Sequence, residues 1–307
     1  MKANQIHAFG SPAVIAFEDV PVPEPGHGEA LVRVVASGVG PWDGWIRSGK
    51  SVLPQPLPLT LGSDFSGIVS AVGPDARDSK IGDEVFGVTN AQFTGANAEY
   101  AVVKTSMIAK KPRQLGHIDA ASVPVIAVTA WQMLFTHAHV SAGQSVLILG
   151  AAGNVGAFAV RLARQAHANV IAVAPKRDTR FLQEIAADEI IESSFSSDEL
   201  DPVDVVIDLV GGEMQQRGLA TLKQGGILVS AVSQPSASEA ERLDVRAGFM
   251  LVDVSTACLT KLASMFDAGE LDTNIGTVLS LAEARTAHEM LEGSRPRPRG
   301  KIVLRSD

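Results

Sequence analysis

The 307-residue chain is 46% hydrophobic and 20% charged, with a formal net charge of −8. That length suggests about two domains with sizeable cores, and the negative balance argues against general nucleic-acid binding, which asks for clustered Lys and Arg. A single cysteine, Cys258, excludes an intramolecular disulfide and every cysteine-rich zinc site.

The opening M-K-A-N-Q-I-H-A-F-G lacks the apolar core of a secretory signal, and no apolar run approaches the roughly 18 residues that span a bilayer. A cytoplasmic protein without membrane or nucleic-acid partners is expected. From Ile6 to Val103, short β-branched runs alternate with Gly and Pro: Leu31–Ala36, Gly67–Val72, Val85–Val88 and Tyr100–Val103. This spacing predicts a small, irregular β-barrel or sandwich. Asp119 to Thr136 reads as a helix that Pro124 kinks or breaks.

From Ser145 the order changes to alternating strands and helices. S-V-L-I-L-G-A-A-G-N-V-G, Ser145 to Gly156, runs an apolar strand into glycines at 150, 153 and 156, followed at once by an amphipathic helix over 155–167. Small residues in such a turn let the backbone approach a pyrophosphate, and the helix N-terminus presents N–H groups to it. Strands at 169–174, 189–191, 203–210 and 227–232, with helices near 179–187 and 213–222, predict a parallel, doubly wound sheet with its ligand at the carboxyl ends of the strands. Beyond Val254, Leu259–Phe266 reads as a helix, Ser280-Leu-Ala-Glu283 as a capping box opening another, and Lys301–Leu304 as a strand.

A dinucleotide-binding fold of this kind selects NAD through an acid after its second strand. Here that place reads A-P-K-R, Ala174 to Arg177. Lys176 and Arg177 fit a 2′-phosphate and predict NADP(H), although two adjacent cations also suit a solvated loop. A catalytic zinc needs about three Cys, His, Asp or Glu ligands. Of the seven histidines only His137 and His139 lie close together, so no metal is expected. Candidate polar groups for the reaction are Asp43, in G-P-W-D-G-W, and Asp64, in L-G-S-D-F-S-G. Trp42, Trp45 and Phe65 beside them suit an apolar acceptor pocket. The same acids also fit turn caps, and the same aromatics a core.

Several segments resemble one family. They are S-G-V-G-P-W-D at 37–43, L-G-S-D-F-S-G-I-V at 61–69, I-G-D-E-V-F-G at 81–87, A-E-Y-A-V-V at 98–103, V-T-A-W at 128–131, L-G-A-A-G-N-V-G at 149–156, V-V-I-D-L-V-G-G at 205–212 and R-G-K-I-V-L at 299–304. In this order they resemble the medium-chain dehydrogenase/reductase superfamily, in its zinc-free quinone oxidoreductase branch that includes zeta-crystallin. The resemblance implies an α/β chain in which a Rossmann domain, 120–256, is inserted in a GroES-like β-barrel catalytic domain made of 1–119 and 257–307. It places Gly40, Ser63 and Val125 where zinc-dependent relatives carry Cys, His and Cys.

The resemblance also implies that Gly150, Ala151, Gly153, Asn154, Val155 and Gly156 embrace the pyrophosphate, with Thr129 near the cofactor. Lys176 and Arg177 would lie at the 2′-phosphate, and the backbone at Val232 and at Phe249 to Leu251 would line the adenosine and nicotinamide halves. Where relatives often carry a Tyr at the 2′-phosphate, this chain has Ser193. The expected activity is NADPH-dependent reduction of a small-molecule quinone or α,β-unsaturated carbonyl by a homodimer. A dehydrogenase of saturated alcohols and a non-catalytic NADP-binding protein remain open.

Overall fold

The computed structural model describes residues 1–76 and 79–306. The chain divides into two compact units, Met1–Val125 with Val254–Asp307, and Ile126–Asp253. The first boundary falls after Val125 rather than at 119–120. The cause is a short helix, His117–Ala121, whose Ala121 packs with Ala36 and Val303 in the core of the first unit.

The first unit is built on β strands. They are β1 (Lys2–Ile6), β2 (Ala16–Asp19), β3 (Glu29–Val39), β4 (Leu59–Thr60), β5 (Asp64–Val72), β6 (Glu84–Val88), β7 (Tyr100–Lys104) and β8 (Ile108–Lys110). The returning segment adds β15 (Ile275–Ser280) and β16 (Lys301–Arg305). The large sheet runs β15-β16-β3-β5-β6-β8, with β7 also on β3, and β1 pairs with β2 and β4 in a smaller one. Its core is aliphatic, with Val32, Val34, Val69, Val85 and Val103 closing around Phe65. Period-2 patterning showed the middles of β3, β5, β6 and β7, but not the short polar strands β1 and β2.

Three helices of this unit matter below: α1 (Pro41–Arg47), α2 (His117–Ala121) and α9 (Ala284–Leu291). The stretch 41–47 is helical although its Gly, Pro and Trp content shows no helical period. Pro41 begins the first turn, where its missing N–H costs nothing, and Asp43 reaches back to accept from the Gly40 N–H at 2.7 Å. The capping box at 280–283 forms as expected, with Ser280 N and Oγ donating to Glu283 at 2.9 and 2.8 Å, and α9 follows it.

The second unit holds a six-stranded sheet in the order β11-β10-β9-β12-β13-β14, every pair parallel. Its strands are β9 (Ser145–Leu149), β10 (Asn169–Ala174), β11 (Glu189–Glu192), β12 (Val203–Asp208), β13 (Leu222–Ser230) and β14 (Arg246–Phe249). Helices α4 (Asn154–Gln165), α5 (Thr179–Glu184), α6 (Gly212–Ala220) and α7 (Ala237–Arg242) connect them. Strand order runs outward from β9 to β11 on one side and from β12 to β14 on the other. The switch point, where open α/β sheets take their ligands, therefore lies between β9 and β12. The 119–136 stretch is not one kinked helix: α3 (Pro124–Trp131) starts at the proline itself and ends in a π turn, Gln132–His137. Strand β14 and helix α7 were not legible, because four residues that include a glycine, and six whose only apolar side chains are alanines, give too short a period.

Candidate active site

At the switch point the chain leaves β9 through Gly150 and enters α4 at Asn154. The turn is tied to the neighbouring strand, since Gly150 N and Ala151 N both donate to Val173 O at 3.1 Å. Ala157 N makes the first helical bond, to Gly153 O at 2.8 Å. The N–H groups of Asn154, Val155 and Gly156 therefore point outward with no acceptor within their own helix, where the dipole favours an anion. Gly156 is required by contact: a Cβ there would meet the Gly150 carbonyl and lie 2.7 Å from Ala151 Cα. Only hydrogen lets α4 start this close to β9. Ala151 is fully buried at the floor of the turn.

The remaining expected cofactor residues distribute along the carboxyl edge of the same sheet. After β10, Lys176 and Arg177 are extended into solvent, their side chains 86% and 82% exposed. Asp178, the acid that follows, is buried. Lys176 approaches Glu192 at the end of β11 at 4.0 Å, a loose surface pair worth little. Val232 follows β13, and Phe249 ends β14 opposite Ser230; both are partly exposed, as is Leu251. Thr129 lies buried in α3.

In the first unit the structure brings Trp42, Asp43 and Asp64 together around a residue that sequence reasoning did not single out. Lys301, the first residue of β16, is 1% exposed and places its ammonium 2.8 Å from Asp64 Oδ2 and 4.3 Å from the Trp42 ring centroid. Asp64 Oδ1 accepts from Val125 N at 3.0 Å, and Trp42 Nε1 donates to Ser63 Oγ at 3.0 Å. Burial pushes the Asp64 carboxyl up, while Lys301 pulls it back. Burial also pushes Asp43 up to about 7, against the Gly40 N–H and Lys301 and with the help of the Asp64 charge. The indole lies so close over Gly40 that a Cβ there would overlap its six-membered ring.

One of the expected pocket aromatics needs correction. Phe65 is fully buried in the barrel core and lines no acceptor pocket, because neighbours in a strand face opposite sides: Asp64 turned toward Lys301 sends Phe65 inward. Trp42 is anchored at its nitrogen and beside Lys301, and so belongs to the charged cluster. Trp45, three residues on along α1, is half exposed.

Residues 26–113 match the family described as alcohol dehydrogenase GroES-like domain, and residues 185–304 the family described as zinc-binding dehydrogenase. The chain is 30% identical to quinone oxidoreductase of Pongo abelii, over 99% of this chain and 97% of that one. It belongs to the quinone oxidoreductase branch of the medium-chain dehydrogenase/reductase superfamily. Among solved structures, the quinone oxidoreductase from Coxiella burnetii is 34% identical with a TM-score of 0.90, covering 99% of both chains. The mycobacterial protein Rv1454c complexed with NADPH is 26% identical with a TM-score of 0.87, covering 99% of this chain and 100% of that one. This medium-chain dehydrogenase/reductase is thus an oxidoreductase with a nicotinamide cofactor. Among the described residues no helix is long and apolar enough to cross a membrane, and no three His, Cys, Asp or Glu side chains are grouped to hold a metal ion.

Proposed function

We propose that this protein is a zinc-independent reductase that takes hydride from NADPH and delivers it to a small-molecule quinone or α,β-unsaturated carbonyl. The observation that carries the cofactor choice is the end of β10, where two cations extend into solvent, the acid that follows them, Asp178, is buried, and Glu192 on β11 approaches only Lys176, loosely at 4.0 Å. A ribose hydroxyl wants an acceptor at this place, whereas a 2′-phosphate wants cations. The named quinone oxidoreductases among the relatives, and the NADPH complex of a similar fold, support the same reading.

The donor set supports a reaction without metal. At Gly40, Ser63 and Val125 there is neither imidazole, thiolate nor carboxylate. The space over Gly40 is taken by an indole, and the cation beside it is the Lys301 ammonium. These residues do not fit a zinc ion, whose ligands must be deprotonated and must surround it. The bound nicotinamide supplies the hydride. The chain's own residues bind and orient: the α4 N–H groups hold the pyrophosphate, and the buried Asp64–Lys301 pair keeps the wall of the first unit rigid.

Purified protein mixed with NADPH and 1,4-benzoquinone, 9,10-phenanthrenequinone or an alkenal is expected to lose the 340 nm absorbance of about one NADPH per acceptor reduced. Binding of NADPH with no oxidation by any of the three would sink the reductase reading. Replacing both Lys176 and Arg177 with Ala is expected to raise the KM for NADPH at least about tenfold and to change that for NADH by less than about threefold. Equal effects on the two cofactors would remove the case for NADP.

A further inference from the structure

We infer that Asp208, at the carboxyl end of β12, is a positioning residue for the dinucleotide; the inference rests on the reading that a nicotinamide dinucleotide lies on the 150–156 turn. Asp208 is fully buried, yet each of its oxygens is committed. Oδ1 accepts from Val210 N at 3.0 Å and Gly211 N at 2.9 Å. Oδ2 accepts from Gln215 Nε2 at 2.8 Å and Ser230 Oγ at 2.7 Å. Ser230 Oγ in turn accepts from Val232 N at 3.2 Å and Ser233 N at 3.3 Å, and Gln215 Nε2 also donates to Ser233 O at 3.1 Å.

One carboxylate therefore fixes two loops, 209–212 after β12 and 231–233 after β13, through the buried side chains of Ser230 and Gln215. Both loops lie on the carboxyl edge of the sheet, and the first lies beside the glycine turn at the switch point. Leu209 N donates to Leu149 O at 3.2 Å, and a Cβ placed on Gly150 would come within 3.0 Å of Val210 Cγ2. The two loops also meet, since a Cβ on Gly211 would stand 3.2 Å from both Val232 Cγ1 and Ser233 Oγ. Gly150, Val210, Gly211 and Val232 thus form one continuous rim whose shape depends on Asp208. Val210 and Val232 are exposed on it, and the side chains that tie their loops are the buried polar ones of Asp208, Ser230 and Gln215. A buried polar hub under exposed valines holds a surface shape; apolar packing would have served for stability alone.

The variants separate holding the rim from holding the fold. Asp208→Asn keeps an oxygen for Val210 N and Gly211 N, but turns an amide toward the donors of Gln215. Ser230→Ala removes the hydroxyl that holds Val232 N and Ser233 N, whereas Ser230→Thr keeps it. With NADPH titrated against protein fluorescence, Asp208→Asn is expected to bind at least about tenfold more weakly than wild type. Ser230→Ala is expected to bind about fivefold more weakly and Ser230→Thr within about twofold of wild type, a recovery that a general loss of packing would not show, since threonine adds a buried methyl. Should Asp208→Asn fail to fold, the two Ser230 variants carry the test. Asp208→Asn and Ser230→Ala both binding within about twofold of wild type, or Ser230→Thr no better than Ser230→Ala, would overturn the inference. Wild type that binds neither NADPH nor NADH overturns the cofactor reading itself, a result visible before any variant is made.

Discussion

Lys301→Met is expected to lower the unfolding free energy by about 3–5 kcal/mol at pH 7, the usual cost of leaving one member of a buried ion pair alone. The ammonium is the only cation within hydrogen-bond distance of Asp64 among the described residues, and its removal leaves that carboxylate, fully buried, with the Val125 N–H. Asp64 then favours its protonated form still more strongly. A group whose folded pKa is raised keeps its stabilising share at low pH and loses it as pH rises through the folded value. The deficit of Lys301→Met should therefore be smaller at pH 5 than at pH 8. Asp64→Asn/Lys301→Met removes both charges and is expected to recover all but about 1–2 kcal/mol. Urea unfolding at the two pH values checks this; a single variant that loses under about 1 kcal/mol at pH 8 contradicts it.

The second large effect lies in α9. His288 is 1% exposed, and neither ring nitrogen has a hydrogen-bond partner. The Arg47 guanidinium, itself buried and paired through Nη2 with Glu292, is close by. Burial first, and then Arg47, push His288 down to about 3. The folded chain thus holds it neutral, while the unfolded chain takes a proton below its ordinary value of 6.5. Its contribution is complete above about pH 6.5 and is lost as pH falls toward 3. The loss is about 2 kcal/mol by pH 5 and on the order of 5 kcal/mol in full. Asp43 works in the opposite sense, since its raised carboxyl takes up a proton in the folded state below about 7. Comparing wild type with His288→Leu isolates the histidine, because Asp43 is present in both. The leucine variant is expected to gain about 2 kcal/mol on wild type between pH 7 and pH 5. A constant difference across that range would show that His288 does not set the acid limit.

Both effects depend on contacts that the order of residues conceals. The cradle was readable because all its parts are adjacent in sequence: four apolar residues, a glycine turn and a helical period fall within Ser145–Gln165. The exposed place of Lys176 and Arg177 just beyond β10 was readable for the same reason. Lys301 was not, because its partner Asp64 is 237 positions away and nothing in K-I-V-L distinguishes a buried lysine from a strand-end surface one. Asp208 stands in a segment that the family resemblance did include, but its hydrogen bonds come from Gln215 and Ser230, whose roles no spacing announces. Phe65 could have been placed correctly from the strand itself, since residue 64 facing a polar site sends residue 65 to the other side. The helix at 41–47 is harder. Gly, Pro and two tryptophans resemble a loop until the Asp43 cap is seen.

The strand that carries Lys301 also has a bearing on how the chain is made. β16 sits between β15 and β3, so the large sheet of the first unit stays open at β3 until residues 301–305 have been synthesised. The second unit needs nothing beyond Asp253. Because domains fold as units while translation proceeds, the parallel sheet can form on the ribosome while the barrel still waits for its final strand. During that interval Asp64 has no counter-charge and β3 offers an unpaired edge, the kind of surface that chaperones cover.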